Sequence, residues 1–280
     1  MDFRRADELL RGLALLWAGL LTPQAYLDSM AALITEFEQR PGRAERSIEE
    51  TSWDTWFRAS GGGDTNLANT NFSYYDGGQI AGHLLNFAIR QATGNQKSLD
   101  DWMRLLYQRY ALPKPGFEPE DAVRAANEVA GKDMSEFFRR YISGKEPLAY
   151  ETYFGYAGIR VERLEMREQA WIAVSTTRGE DGRARISNIT PGSPAEAAGL
   201  DRGDTIVAVD GKTVDQTEFG RAVEARKAGE MLRLSLIRLG ELKEIAVTAG
   251  ANPYTTFRLR PAQHPTEMQQ KIYGGWMGRR

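Results

Sequence analysis

Apolar and polar positions alternate with two different periods along the 280-residue chain. From residue 6 to about 144, apolar side chains recur every three to four residues, the spacing of a helix with one buried face. Leu9, Leu10, Leu13, Leu16 and Trp17 follow that spacing, and Thr22-Pro23 opens a second helix. Two helices are therefore expected over residues 6 to 40. Residues 41 to 73, rich in Gly, Asn, Asp and Ser, read as a loop passage. Helical periodicity returns from 75 to 144. There "IAGHLLNFAIRQATG" ends on a Gly cap, "SLDDWMRLLYQRY" starts at a Ser N-cap, and "DMSEFFRRYISG" sets Phe137, Phe138 and Tyr141 on one face.

From about 151 the texture changes to β-branched alternation, as in "WIAVS", "RARISNI", "TIVAVDG", "LRLSLIRLG" and "LKEIAVTAG", bounded by Gly and Asp turns. One longer helix, near 216 to 228, interrupts these strands. The chain is thus expected to be a multidomain α+β protein. Residues 1–150 form a helical domain and 151–250 a β domain. Residues 251–280 form a tail packing back on the helices through Phe257, Tyr273 and Trp276.

Composition narrows the function classes. With 36 basic and 38 acidic side chains, the net charge of −2 provides no field for nucleic acid. Zero cysteines exclude disulfides, thiolate metal sites and a cysteine nucleophile, and leave cytoplasm and periplasm both open. The N-terminal stretch "MDFRRADELLRGLALLWAGLLTPQA" superficially looks like a signal peptide. Asp7 and Glu8 precede its apolar run, Arg11 interrupts it, and the run is too short to span a bilayer. A buried helix is the reading taken, with no membrane span. No G-x-S-x-G, Walker loop or G-x-G-x-x-G occurs.

The stretch "SNITPGSPAEAAGLDRGDTIVAVDGKTV" resembles a bacterial-type PDZ domain. Ala195, Ala197 and Ala198 suit a short helix packed closely on a sheet, and Asp210-Gly211 suits a tight hairpin. The resemblance implies binding of peptides or protein C-termini as an added strand, with the terminal carboxylate received by a loop of backbone amides. By resemblance that loop falls in "QAWIAVS", at Trp171, Ile172, Ala173 and Val174. Phe219, Val223 and Arg226 of the following helix would face the groove. For Phe219 and Val223, core packing is an equally open reading. Ala173 stands where members of that family carry Gly, which places the geometry of carboxylate capture in question.

The helical half carries a second resemblance. "RSIEETSWDTWF", "SYYDGGQIAGHLLNFAIRQATG", "SLDDWMRLLYQRY" and "FFRRYISG", followed by a PDZ tail, look like the glycyl aminopeptidase family of zinc metallopeptidases. That implies the C-terminal half of a thermolysin-like (gluzincin) domain. Family chemistry rests on HExxH plus a downstream glutamate: the two imidazoles and the downstream carboxylate hold zinc while the HExxH glutamate activates water. This sequence contains no HExxH. Its histidines are His83, in an apolar helical stretch, and His264, beside a proline. The third-ligand position falls at about Arg4, with Glu8 nearby but off the pattern.

The resulting expectation is the C-terminal portion of such a peptidase, with no metal site and no cofactor in this chain. It would be inactive alone and partnered by the missing N-terminal catalytic part. The alternative is a non-catalytic PDZ scaffold derived from a peptidase. Tyr75 of "SYYDGG" matches a tyrosine that donates its hydroxyl to the oxyanion, although Gly77 replaces the usual lysine. Core packing of the tyrosine pair, or exposure of Tyr74 instead, stays open. Asp64, Asn66, Asn69 and Asn71 read as a calcium-binding loop, a substrate-side loop or a solvated connection.

Overall fold

A computed structural model describes residues 6–60, 66–114 and 116–278. They form two compact units. The first comprises the chain as far as Leu164, except a short stretch ending at Asn69, together with the residues from Thr256 onward. Its helices in chain order are α1 (Ala6–Trp17), α2 (Pro23–Glu38), α3 (Gly42–Glu45), α4 (Ile48–Trp53) and α5 (Thr55–Ser60). After α6 (Leu67–Thr70) come α7 (Tyr74–Ala92), α8 (Leu99–Tyr110), α9 (Pro119–Ala130), α10 (Ser135–Tyr141) and α11 (Tyr150–Tyr156). Strand β1 (Ile159–Glu165) leaves this unit.

Helix α7 is the axis of the first unit and packs against α1, α2, α4, α8, α9 and α11. Ser73 caps it, its hydroxyl accepting the Asp76 N–H, and Ile80, Leu84, Phe87 and Ile89 bury completely. Each such side chain contributes roughly 2 kcal/mol by leaving water. In α1, Leu13 and Leu16 are buried while Trp17 stays half exposed. The side chains of Glu8, Leu9 and Leu10, and the whole of Arg4 and Asp64, lie outside the described residues.

The second unit joins the short stretch ending at Asn69 to residues Glu165–Thr255. Its elements are β2 (Ala170–Trp171), β3 (Val174–Arg178), β4 (Ala184–Ile189), α12 (Pro194–Ala197), β5 (Thr205–Val209) and β6 (Lys212–Thr213). Helix α13 (Gln216–Glu224), β7 (Met231–Arg238), β8 (Glu241–Thr248) and β9 (Gly250–Ala251) follow. The sheet order is β3-β4-β5-β7-β8, all antiparallel, with β6 on β5 and a separate β2–β9 pair. Inward residues Ile186, Ile206, Leu232, Leu234, Leu236 and Val247 form its own core with Phe219 of α13. Asp210 and Gly211 both adopt positive φ, 50° and 79°, at the β5–β6 hairpin. Beneath the sheet edge, Asp204 is buried and takes two 2.7 Å hydrogen bonds from Arg238.

The chain then returns to the first unit through β10 (Thr255–Pro261), paired with β1, and α14 (Glu267–Met277). Trp276 is 1% exposed and meets Tyr26, His83 and Phe87 edge-on, and Phe257 packs on Tyr150.

Three local expectations are corrected. Residues 41 to 73 are not one loop: four short helices occur, the second opened by a reciprocal cap between Ser47 and Glu50. Gly42 lets one of them lie where a β-carbon would sit 2.5 Å from the backbone of Asn71. Residues 151 to 156 are helical rather than the start of the β region, because Tyr150 and Phe154 bury one turn apart into the helical core. The tail contains a helix, capped by Thr266 and Gln269, which the residue pattern had left unassigned.

Candidate functional site

The histidines come first, because a zinc site would need them. His83 projects from α7 into the core, wholly buried, and its Nε2 shares a 3.1 Å hydrogen bond with the Tyr26 hydroxyl. Burial alone pushes its pKa down from 6.5 to about 3, so the ring is neutral. Its Nδ1 has no hydrogen-bond partner among the described residues. His264 is exposed in the link before α14. No group of three His, Cys, Asp or Glu side chains converges on a metal position among the described residues. The donors among the described residues do not fit zinc.

Tyr74 and Tyr75 open α7 with ring centroids 4.0 Å apart. Tyr74 is buried and Tyr75 half-buried, so Tyr75 is the more accessible of the two phenols. At Gly77, a side chain would need Ile48 and Phe37 to give way. A β-carbon there would lie 3.0 Å from Ile48 and from Phe37. In the neighbouring stretch, Asn69 is buried. Its amide donates to the Ile189 carbonyl at 2.8 Å and to Asn188 Oδ1, while its Oδ1 accepts from Asn188 Nδ2 at 2.9 Å. These hydrogen bonds tie Asn69 to β4.

The second unit holds an open strand edge. Among the described residues β3 pairs only with β4, and α13 packs beside it. Ahead of β3, the loop through Trp171 and Ile172 is tied down on both sides. Trp171 pairs with Gly250, Ile172 O accepts the Ala195 N–H at 3.0 Å, and Ala173 O accepts the Thr190 N–H at 3.1 Å. Ala173 adopts φ +67°, in the left-handed region that an L side chain enters at a cost of roughly 1 kcal/mol. The loop therefore keeps a glycine-type backbone with alanine in place. Of the residues assigned to this groove, Ile172 and Phe219 are buried in the core, and Trp171, Ala173, Val174 and Val223 are half-buried. Trp171 stands edge-on to Tyr254, and Arg226 pairs with Asp210.

Comparison with known proteins now bears on this geometry. Residues 7–81 match the M61 glycyl aminopeptidase family, and residues 155–249 match the PDZ domain. This is a peptidase-like chain with a PDZ domain. The crystal structure of an aminopeptidase N family protein from Idiomarina loihiensis superposes with a TM-score of 0.82 at 19% identity. It shares the mixed α+β fold over 95% of this chain and 46% of its own length. Similar curated proteins include probable periplasmic serine endoproteases DegP-like. The one from Chlamydia pneumoniae is 30% identical, and the one from Halomonas elongata 35% identical, each over 100 residues. Those matches cover 35% of this chain and 20% of each relative. The chain thus spans about half of the structural relative and a fifth of these curated ones.

Sequence reasoning missed two contacts of the second unit. One is the clamp of Asn69 on β4, the other a contact between Gln216 and β3. Both join residues far apart in the chain, and no local pattern signals them.

Proposed function

We propose that this chain is the peptide-binding portion of a glycyl-aminopeptidase-like zinc metallopeptidase, inactive on its own because it carries no zinc ligand set. The PDZ domain takes an extended peptide along β3, its C-terminus at the Trp171–Ala173 loop. The observation that carries this reading is the open β3 edge beside α13, which follows a loop whose left-handed turn persists at Ala173. Main-chain pairing along such an edge needs no particular ligand side chain. Half-buried Val174 and Val223 favour apolar peptide ends. In a complete enzyme, Tyr75 would donate its phenol to the oxyanion formed on the substrate carbonyl. The partner of this chain is then the portion bearing the zinc ligands.

A second reading, a non-catalytic PDZ scaffold derived from a peptidase, is favoured by the close packing of Gly77 against Ile48 and Phe37, where a lysine would need both to give way. Both readings share the peptide groove. Fluorescence anisotropy with a labelled heptapeptide ending in valine-alanine-valine tests it, and saturable binding is expected. Metal analysis and a glycyl-arylamide assay on the same sample test inactivity. Stoichiometric zinc with turnover would overturn it.

A further inference from the structure

Backbone groups along an antiparallel strand point alternately to its two neighbours. In β3 the phase is set at both ends. Ala173 O accepts from Thr190, and Gly179 N donates to the Arg183 carbonyl across the β3–β4 hairpin. The intervening residues pair as Val174 with Ile189, Ser175 with Asn188, Thr176 with Ile186 and Thr177 with Arg185. The extra residue at the register shift belongs to β4, so the alternation along β3 is unbroken. Backbone groups of Val174, Thr176 and Arg178 consequently face away from β4, toward the open edge.

One of those edge acceptors is already occupied. The side-chain amide of Gln216, at the start of α13, donates from Nε2 to the Thr176 carbonyl at 3.1 Å and to Thr176 Oγ1 at 3.3 Å. Its own backbone N–H is held by the Gly182 carbonyl at 3.1 Å, and the Asp215–Glu218 capping box fixes the helix start. The side chain is thus anchored from a rigid base. A primary amide placed there reproduces the N–H that a paired peptide would offer.

We infer that Gln216 is a built-in competitor for the PDZ groove, holding the Thr176 carbonyl until a peptide amide displaces it. This rests on the groove reading above. A peptide whose C-terminal residue lies opposite Val174 places its third residue from the end opposite Thr176, because antiparallel partners meet at every second position. That third residue's N–H and the Gln216 amide claim the same oxygen. Gln216 therefore sets how much affinity the third position adds, and it also satisfies an edge acceptor in the empty domain.

The test uses the full chain with Gln216→Ala and Gln216→Ser. The probes are the labelled heptapeptide ending in valine-alanine-valine and its analogue with an ester replacing the amide at the third residue from the end, which removes that N–H without adding bulk. Removing the competitor should tighten heptapeptide binding about threefold to tenfold, the worth of one hydrogen bond. The ester should cost the Gln216 variants a similar factor and the wild type less than about twofold. Equal ester penalties on wild type and variants overturn the proposal while leaving the groove intact. Absence of binding by all three proteins overturns the groove itself. A separate measurement on the empty wild type is the exchange of the Gln216 side-chain amide protons with solvent. Protection supports the contact, and free exchange refutes it.

Discussion

A neutral histidine buried beside Tyr26 and Trp276 makes the stability of the helical unit depend on pH. The folded state holds His83 at about 3, and the unfolded chain returns it to 6.5. Its contribution is fully present above the unfolded value. It is lost progressively as pH falls from 6.5 toward 3, because only the unfolded chain binds the proton in that window. Each pH unit inside the window costs about 1.4 kcal/mol, so the loss reaches about 2 kcal/mol near pH 5 and about 3.4 kcal/mol near pH 4. Against a typical total of roughly 5–15 kcal/mol, the lower figure threatens folding.

The perturbation is His83→Gln, which keeps polar atoms near Tyr26 but cannot take up a proton. Urea unfolding of wild type and variant would be followed from about pH 7 to pH 4, with Trp276, 5.9 Å from the His83 ring, reporting the helical unit. Carboxylates titrate in both proteins, so the difference between the two curves isolates the imidazole. The variant should be the less stable at neutral pH, since its amide must find partners in a closed core. That deficit should shrink by about 1.4 kcal/mol per pH unit below 6.5. A difference that stays constant with pH would refute the assignment of His83 as a buried neutral group.

Two further outcomes test the loop and the helix opening. Ala173→Gly removes the strain of φ +67° but loosens the unfolded chain. It should stabilise the PDZ domain by about 0.5 kcal/mol in thermal melts and leave peptide affinity equal or higher. Gly77→Lys drives a side chain against Ile48 and Phe37 and should cost about 1–3 kcal/mol in urea unfolding.

How far the sequence could be read depended on whether a residue answered to its neighbours or to a distant part of the chain. The change of period near residue 150 identified helices before strands, and the mixed α+β fold bears this out. The capping boxes at Ser47 and Thr266 went unread, although Ser47-x-x-Glu50 and Thr266-x-x-Gln269 carry the spacing. In α14 the cause is specific. Gly275 sits inside the helix because a β-carbon there would lie 2.6 Å from Arg90 Nη1, and the buried Arg90 guanidinium donates to the Gly275 carbonyl at 3.2 Å. A residue chosen for that crossing reads locally as a helix breaker.

The groove shows the same division. Alternation located β3, and the small-residue turn located α12. Whether Phe219 and Ile172 serve the core or the ligand was not decidable from spacing, since a helix seated on a sheet buries one face whatever its edge binds. The structure commits both side chains to the core. On the proposed peptide-binding reading, recognition falls to backbone groups and to Val174 and Val223 at the margin. A site built mainly of main-chain donors and acceptors leaves little trace in residue identity. What it does leave is constraint on conformation, and Ala173 in a glycine backbone is where that constraint surfaces. If the loop had no task, relaxation of Ala173 into an ordinary conformation would relieve the strain. Its retention between two anchoring hydrogen bonds, at Ile172 and at Ala173 itself, shows packing that overrides local preference.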